Sequence, residues 1–165
     1  MIRNAQLNDL ESIQTIYARS RVYMANHGNP NQWPNTYPSD ELLISDILKK
    51  QLYVYLVNDQ IHGVFAFIEG DDLTYAHIEN GRWINNAPYK TIHRIASDGN
   101  VKGVFKACIE YCKNHADEIR IDTHKDNEIM QALIYKSEFN YCGIIYVQNH
   151  SPRLAYHYSK NKRQD

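Results

Sequence analysis

The residues with the clearest chemical potential lie a little past the middle of the chain, in SDGNVKGVF, residues 97–105. The strand-like run TIHRIA (91–96) precedes them and an apolar-periodic helix follows. A strand that delivers a glycine loop to a helix N-terminus is a common way to hold a phosphate. The first N–H groups of the helix lack partners within it, and the helix dipole puts its positive end there. Glycine also lets the backbone approach a ligand closely. The same pattern describes a plain turn into a core helix, so the string alone leaves both readings open.

Other reactive residue types are less suggestive. Cys108 and Cys112 stand four residues apart and share one helix face, which reads as a pair of small buried thiols in a reducing compartment. The three cysteines form no Cys-x-x-Cys pair and the histidines show no zinc-ligand spacing, so no metal site is expected. The segment HGNPNQWPNTYPSDE (27–41) is rich in turn formers and too long for a simple connector. It carries Trp33 and Tyr37. The chain has 13 Tyr against 4 Phe, a bias that suits half-wet surfaces, whether a lined cleft or a sheet with one wet face.

The elements that must position these residues follow from periodicity. Residues 8–26 read as a helix, with Leu10, Ile13, Tyr17 and Met24 near one face. Ser39 caps a second helix through about Lys49. Strands are expected at 52–57, 61–69, 73–79 and 91–96, with a loop over 80–90 that holds Trp83. A helix over 101–115 puts Val104, Cys108, Tyr111 and Cys112 on its core face. A strand at 118–123, a helix capped by Asp126 or Asn127, and strands at 139–147 and 153–158 complete the chain. That last helix has Ile129, Met130, Leu133 and Ile134 as its apolar positions. The order is α-α-β-β-β-β-α-β-α-β-β. The unit at 91–123 is βαβ, so its two strands run parallel, while the short turns elsewhere demand antiparallel neighbours. An α/β (α+β) fold on a mixed, mostly antiparallel sheet follows. Ligands favour the carboxyl ends of parallel strands, here Ser97 and Thr123. In TIHRIAS, strict alternation would point His93 and Arg94 to opposite faces.

The pattern bounds one domain over 1–158 and a basic, solvated tail over 159–165. A net charge of −1 supplies no field for nucleic acid. No window approaches the ~20 apolar residues of a membrane span, and the N-terminus lacks the apolar stretch of a signal peptide. A cytoplasmic protein is expected.

At this level the chain resembles the GNAT superfamily of N-acetyltransferases. The order of elements matches over essentially the whole length. The family motif Q/R-x-x-G-x-G/A falls on NVKGVF (100–105), where Gly103 matches and Asn100 and Phe105 depart. The downstream motif N-x-x-A-x-x-L-Y-x-K-x-G-F falls on NEIMQALIYKSEF (127–139). Asn127, Leu133, Lys136 and Phe139 match, while Met130, Ile134 and Glu138 replace Ala, Tyr and Gly.

The resemblance implies transfer of an acetyl group from acetyl-CoA to an amine of a small molecule or peptide, by direct attack. Gly99, Asn100, Val101, Lys102, Gly103 and Val104 would cradle the pyrophosphate, chiefly through main-chain N–H groups. Ile95, Ala96 and Ser97 would lend backbone to the pantetheine arm, and Asn127 would touch it or simply cap its helix. Catalysis needs a base for the incoming ammonium, for which Glu79, His93 and His124 are candidates. It also needs a proton for the leaving thiolate. Ile134 has none to give, which leaves Tyr135, about 100° further round the helix, or Tyr141, Tyr146 or a water. Trp33 and Tyr37 would wall the acceptor pocket, with Trp83 a third loop aromatic on the substrate side. The off-pattern residues also admit a different class, a GNAT-fold acyl-CoA sensor without turnover. Self-association as a homodimer through the late strands stays open.

Overall fold

Alternating burial builds the sheet, as the computed structural model, which describes residues 1–161, shows most clearly in two neighbouring strands. In β2 (Leu52–Val57), Leu52, Val54 and Leu56 are buried and the intervening residues half-buried. In β3 (Gln60–Glu69), Val64 and Ala66 face one layer while Phe65 and Phe67 face the other. A strand buried on both faces belongs at a sheet's interior. β3 indeed sits between β2 and β4 (Lys90–Ser97) in a seven-stranded order β1-β2-β3-β4-β5-β7-β6. The remaining strands are β1 (Ile2–Asn4), β5 (Glu118–Thr123), β6 (Asn140–Tyr146) and β7 (Pro152–Ser159).

Helices α1 (Leu10–Asn26) and α2 (Asp40–Leu48) cover one face. Ile13, Ile16, Tyr17, Leu43 and Ile47 pack there on β2, on Val64 and Ala66, and on Ala96. Helices α3 (Val104–Lys113) and α4 (Glu128–Lys136) cover the other. Val104, Cys108, Ile109, Cys112 and Ile134 meet Phe65, Phe67, Ile92, Ile119 and Ile121 there. Each fully buried aliphatic contributes roughly 1.5–3 kcal/mol. The helix starts follow local chemistry: Ser39 Oγ accepts from Leu42 N–H at 3.2 Å, and Asn127 Oδ1 accepts from Met130 N–H at 3.1 Å.

One joint shapes the site. β4 and β5 run parallel but pair only at Lys90↔Ile119 and Thr91↔Arg120. Every other neighbouring pair of strands is antiparallel. Beyond Thr91 the two strands pair no further among the described residues, so their carboxyl ends, Ser97 and Thr123, lie apart.

Four expectations need correction. The short strand β1 precedes α1 and pairs with β2, and Leu7–Asp9 make a single tight turn before the helix begins at Leu10. Residues 73–79 form no strand. Asp72 caps a tight turn over Leu73–Tyr75 that drives the Tyr75 ring into the core, and only Glu79 bridges to Ile144 of β6. Ile129, expected as a core position of α4, is 46% exposed, while Ile134 is completely buried. His93 and Arg94 do not face opposite ways. Between the pairs Ala66↔His93 and Val64↔Ala96, Phe65 opposes both Arg94 and Ile95, a bulge in which Arg94 adopts φ 53°. A bulge re-aims a side chain. Both His93 and Arg94 therefore lie on the α1/α2 side. Of the stretch expected as a tail, Ser159 ends β7 and Lys160 N–H donates to Asp117 O, while residues 162–165 lie outside the described part.

Candidate active site

The glycine loop is built from main chain. Gly99 and Gly103 take φ of 76° and 78°, a left-handed conformation that costs other residues roughly 1–2 kcal/mol. A Cβ on either would meet no heavy atom within 4 Å, so the loop borders open space. Gly103 is the N-cap of α3, and the first-turn amides of that helix face outward by helix geometry. Asp98 shapes the loop: Oδ1 accepts from Asn100 N–H at 2.9 Å, and Oδ2 lies 2.8 Å from His62 Nδ1. Phe105, off the family pattern, is the second residue of α3 and packs against the core instead of standing in the loop. These features fit an anion at the helix start, and the gap between β4 and β5 leads away from it.

The other half of the candidate site is wired by side chains. His93 Nε2 lies 2.8 Å from Asp72 Oδ2, and both side chains are about one-fifth to one-quarter exposed, at 24% and 21%. Burial pushes the Asp72 carboxyl up, but hydrogen bonds from His93 and Thr74 outweigh it and hold the group down at about 2. Tyr75, ring to ring with His93, donates its hydroxyl to Asp122 Oδ2 at 2.5 Å, and burial pushes its own pKa well up. Arg94, aimed by the bulge, forms a buried ion pair with Asp46 of α2. Its main-chain oxygen accepts from the Tyr17 hydroxyl at 2.7 Å.

The loop between α1 and α2 closes this side. Trp33 packs edge-on to Tyr17 and near Tyr37, with ring centroids 5.6 and 6.1 Å away. Gln32 Oε1 reaches across to the end of β5 and the start of α4, where Asn127 Nδ2 donates to it at 3.2 Å. Arg153 of β7 donates to the Gln32 main-chain oxygen at 3.1 Å.

The expected site residues therefore separate. Ile95, Ala96 and Ser97 line the open end of β4 above the loop of Gly99, Asn100, Val101, Lys102, Gly103 and Val104, and Asn127 stands across the gap. His93, Trp33 and Tyr37 gather on the α1/α2 side. Trp83 lies behind Tyr75: its ring packs on the Tyr75 ring with centroids 5.1 Å apart, its indole donates to Tyr75 O, and it stacks on the Arg120 guanidinium, 4.1 Å away. Glu79 is exposed and accepts hydrogen bonds from His77 and Tyr146, which hold it below the ordinary carboxylate range, the direction of a weaker base. His124 Nδ1 accepts from Asp126 N–H, and burial with the nearby Arg153 charge holds its pKa low. Tyr135 is 78% exposed on the outer side of α4. Asp72, Gln32, Asp46 and Arg94 were not anticipated. Only the long α1–α2 loop signalled any of them.

No protein-family model matches the chain, and no curated protein matches it in sequence. Solved structures do. An acetyltransferase of the GNAT family from Streptococcus agalactiae 2603 shares 30% identity and superposes with a TM-score of 0.87, over 98% of this chain and 96% of its own. The chain belongs to the GNAT acetyltransferase family. An acetyltransferase from Staphylococcus aureus Mu50 matches at 26% identity and a TM-score of 0.69, over 98% of this chain and 99% of its own. The yncA protein of Salmonella typhimurium, solved with its cofactor acetyl-CoA, shares the fold at 12% identity and a TM-score of 0.58, over 100% and 96% of the two chains. This GNAT member is an acetyl-CoA-dependent N-acetyltransferase. Its sheet, with the central βαβ unit and its divergent strands, is the GNAT sheet. Among the described residues, no helix is long and apolar enough to cross a membrane.

Proposed function

We propose that this enzyme acetylates a primary amine of a small molecule or peptide by direct attack, with His93 as the base that takes the ammonium proton. The observation that carries the assignment is the His93–Asp72 pair on the α1/α2 face of β4. A carboxylate accepting from Nε2–H fixes the tautomer that leaves Nδ1 free to take a proton. Asp72, held ionised to about pH 2, also stabilises the imidazolium that forms. His93 stands four residues upstream of Ser97, about 13 Å along the strand at roughly 3.3 Å per residue.

Bound at Gly99–Val104 and along Ile95–Ser97, acetyl-CoA supplies the acetyl group as an activated thioester. The α3 amides and Lys102 hold its pyrophosphate, and the gap between β4 and β5 admits the arm. Trp33 and Tyr37 wall the acceptor side and exclude water there. Ile134 sits in the α3/α4 core, so that position holds no proton for the leaving group. Cys108 and Cys112 are buried in the core, with Cys108 pushed up to about 12 by desolvation, and such unreactive thiols suit a reducing cytoplasm.

Thiol release over a panel of amines tests the reading. The wild type should release thiol with at least one amine, and H93A should lose kcat about 100-fold or more, the usual contribution of a positioned base. Full kcat in a folded H93A would remove His93 from the role.

A further inference from the structure

Four donors converge on one oxygen at the head of the β4–β5 gap. Gln32 Oε1 accepts from Asn29 Nδ2 at 2.9 Å, Asn127 Nδ2 at 3.2 Å, the main-chain N–H of His124 at 3.3 Å and Thr123 Oγ1 at 3.4 Å. A carbonyl oxygen has two lone pairs. Three of the four bonds are accordingly longer than the ~2.9 Å of a good N–H···O bond. The orientations are not arbitrary. Asn127 Oδ1 is engaged by Met130 N–H, which turns Nδ2 toward Gln32.

Beside this crowded acceptor lies an idle one. Asn29 is 3% exposed, and its Oδ1 is buried without a hydrogen-bond partner. Its own Nδ2 points into the cluster, so the other end of the same planar carboxamide lies next to it. Buried polar atoms are ordinarily paired, and an exception calls for a cause. The cluster has a surplus of donors for one oxygen and one acceptor waiting for an N–H. A secondary amide offers that complement: a C=O and an N–H on one short planar unit.

We propose that Asn29, Thr123, His124 and Asn127 form an amide-binding subsite in which the Gln32 carboxamide stands until an amide of a ligand displaces it. The inference rests on the acetyl-transfer reading, since two ligands of that reaction carry such a group: the pantetheine arm and a peptide acceptor. Displacement gives the ligand C=O two donors at normal length and Asn29 Oδ1 an N–H. It also detaches the α1–α2 loop from β5, so Gln32 couples filling of this subsite to the position of Trp33 and Tyr37.

Calorimetric titration of Q32A and Q32E separates the outcomes. The probes are coenzyme A, 3′-phospho-ADP (pyrophosphate without the arm) and the dipeptide amide Ala-Ala-NH2. An internal competitor lowers apparent affinity by the fraction of time it occupies the site, so its removal in Q32A should tighten the displacing ligand about threefold or more. In Q32E a carboxylate accepts the same donors more strongly, so the same ligand should weaken. Opposite shifts for coenzyme A with unchanged 3′-phospho-ADP identify the arm. Opposite shifts confined to Ala-Ala-NH2 identify the acceptor peptide. If both variants melt like wild type but move coenzyme A and the dipeptide in the same direction, or not at all, Gln32 is a fixed anchor and the proposal is overturned. Failure of the wild type to bind 3′-phospho-ADP would instead count against the glycine-loop cradle, because that probe never reaches Gln32.

Discussion

The two halves of the proposed site are made of different material. The proposed cradle at Gly99–Val104 uses main chain over one short stretch and opens to solvent. The proposed acceptor half uses side chains joined across long separations: Asp72 to His93 over 21 residues, Asp46 to Arg94 over 48, Gln32 to Asn127 over 95. A site of backbone amides tolerates change in side-chain identity, so Asn100 and Phe105 can leave the family pattern while the loop keeps its shape. A site of paired side chains does not, because removal of one partner strands the other.

Removing Asp46 tests this difference most severely. Arg94 would stay buried without its counter-charge, and breaking a buried pair costs about 3–5 kcal/mol. Asp46→Ala should therefore lower the denaturation midpoint by more than any single change in the loop; an equal loss from an Asn100→Ala control would erase the contrast. Next in size, H93A should lower kcat about 100-fold or more, and D72N should lower it while moving the acid limb of the pH–rate profile. Because the Asp72 pKa is depressed to about 2 in the fold, its pair with His93 stabilises the protein above the ordinary carboxylate pKa near 3.9, and that stabilisation drains away as pH falls toward 2. D72N should flatten acid unfolding over that window, measured by circular dichroism; an unchanged curve would mean the pair contributes nothing there.

The cradle should respond to charge instead of to side-chain loss. Gly103→Asp places a carboxylate where a pyrophosphate would lie, and affinity for coenzyme A should fall about tenfold or more. Lys102→Ala should cost only a few-fold, since its charge is a supplement to the amides; a larger loss for K102A than for G103D would show the cradle to depend on side chains after all. The smallest expected effect is in Tyr135→Phe. A tyrosine that is 78% exposed should leave both kcat and its pH profile within about twofold, the scale of a surface change, and a shifted basic limb would restore it as the proton donor.

What could be read in advance divides along the same line. The glycine loop, the helix behind it and the parallel pair around it are local patterns, and periodicity exposes them. So is the cap at Asn127, which the structure places on α4 as expected. Residues 73–79 look like a strand because their apolar and polar residues alternate, but Asp72 capping and the buried Tyr75 ring decide otherwise. The bulge at Arg94 has no signature in β4 itself: an arginine at φ 53° is held there by Asp46 and Tyr17, which arrive from other elements. His93 alone among the proposed bases gains a carboxylate partner from a remote turn, and nothing near it in the chain announces Asp72.

The joint between β4 and β5 has a further consequence. Two residue pairs stitch a four-stranded plate, β1 to β4, to a three-stranded one, β5, β7 and β6. Such a sheet is notched, and a notch concentrates strain. Thermal breathing should open there first, and the β4 amide hydrogens beyond Thr91 that face β5 should exchange faster than those that pair with β3. If the proposed cofactor site is right, a molecule lodged in the notch would work as a rivet between the plates and tie the rigidity of the whole protein to the supply of that cofactor.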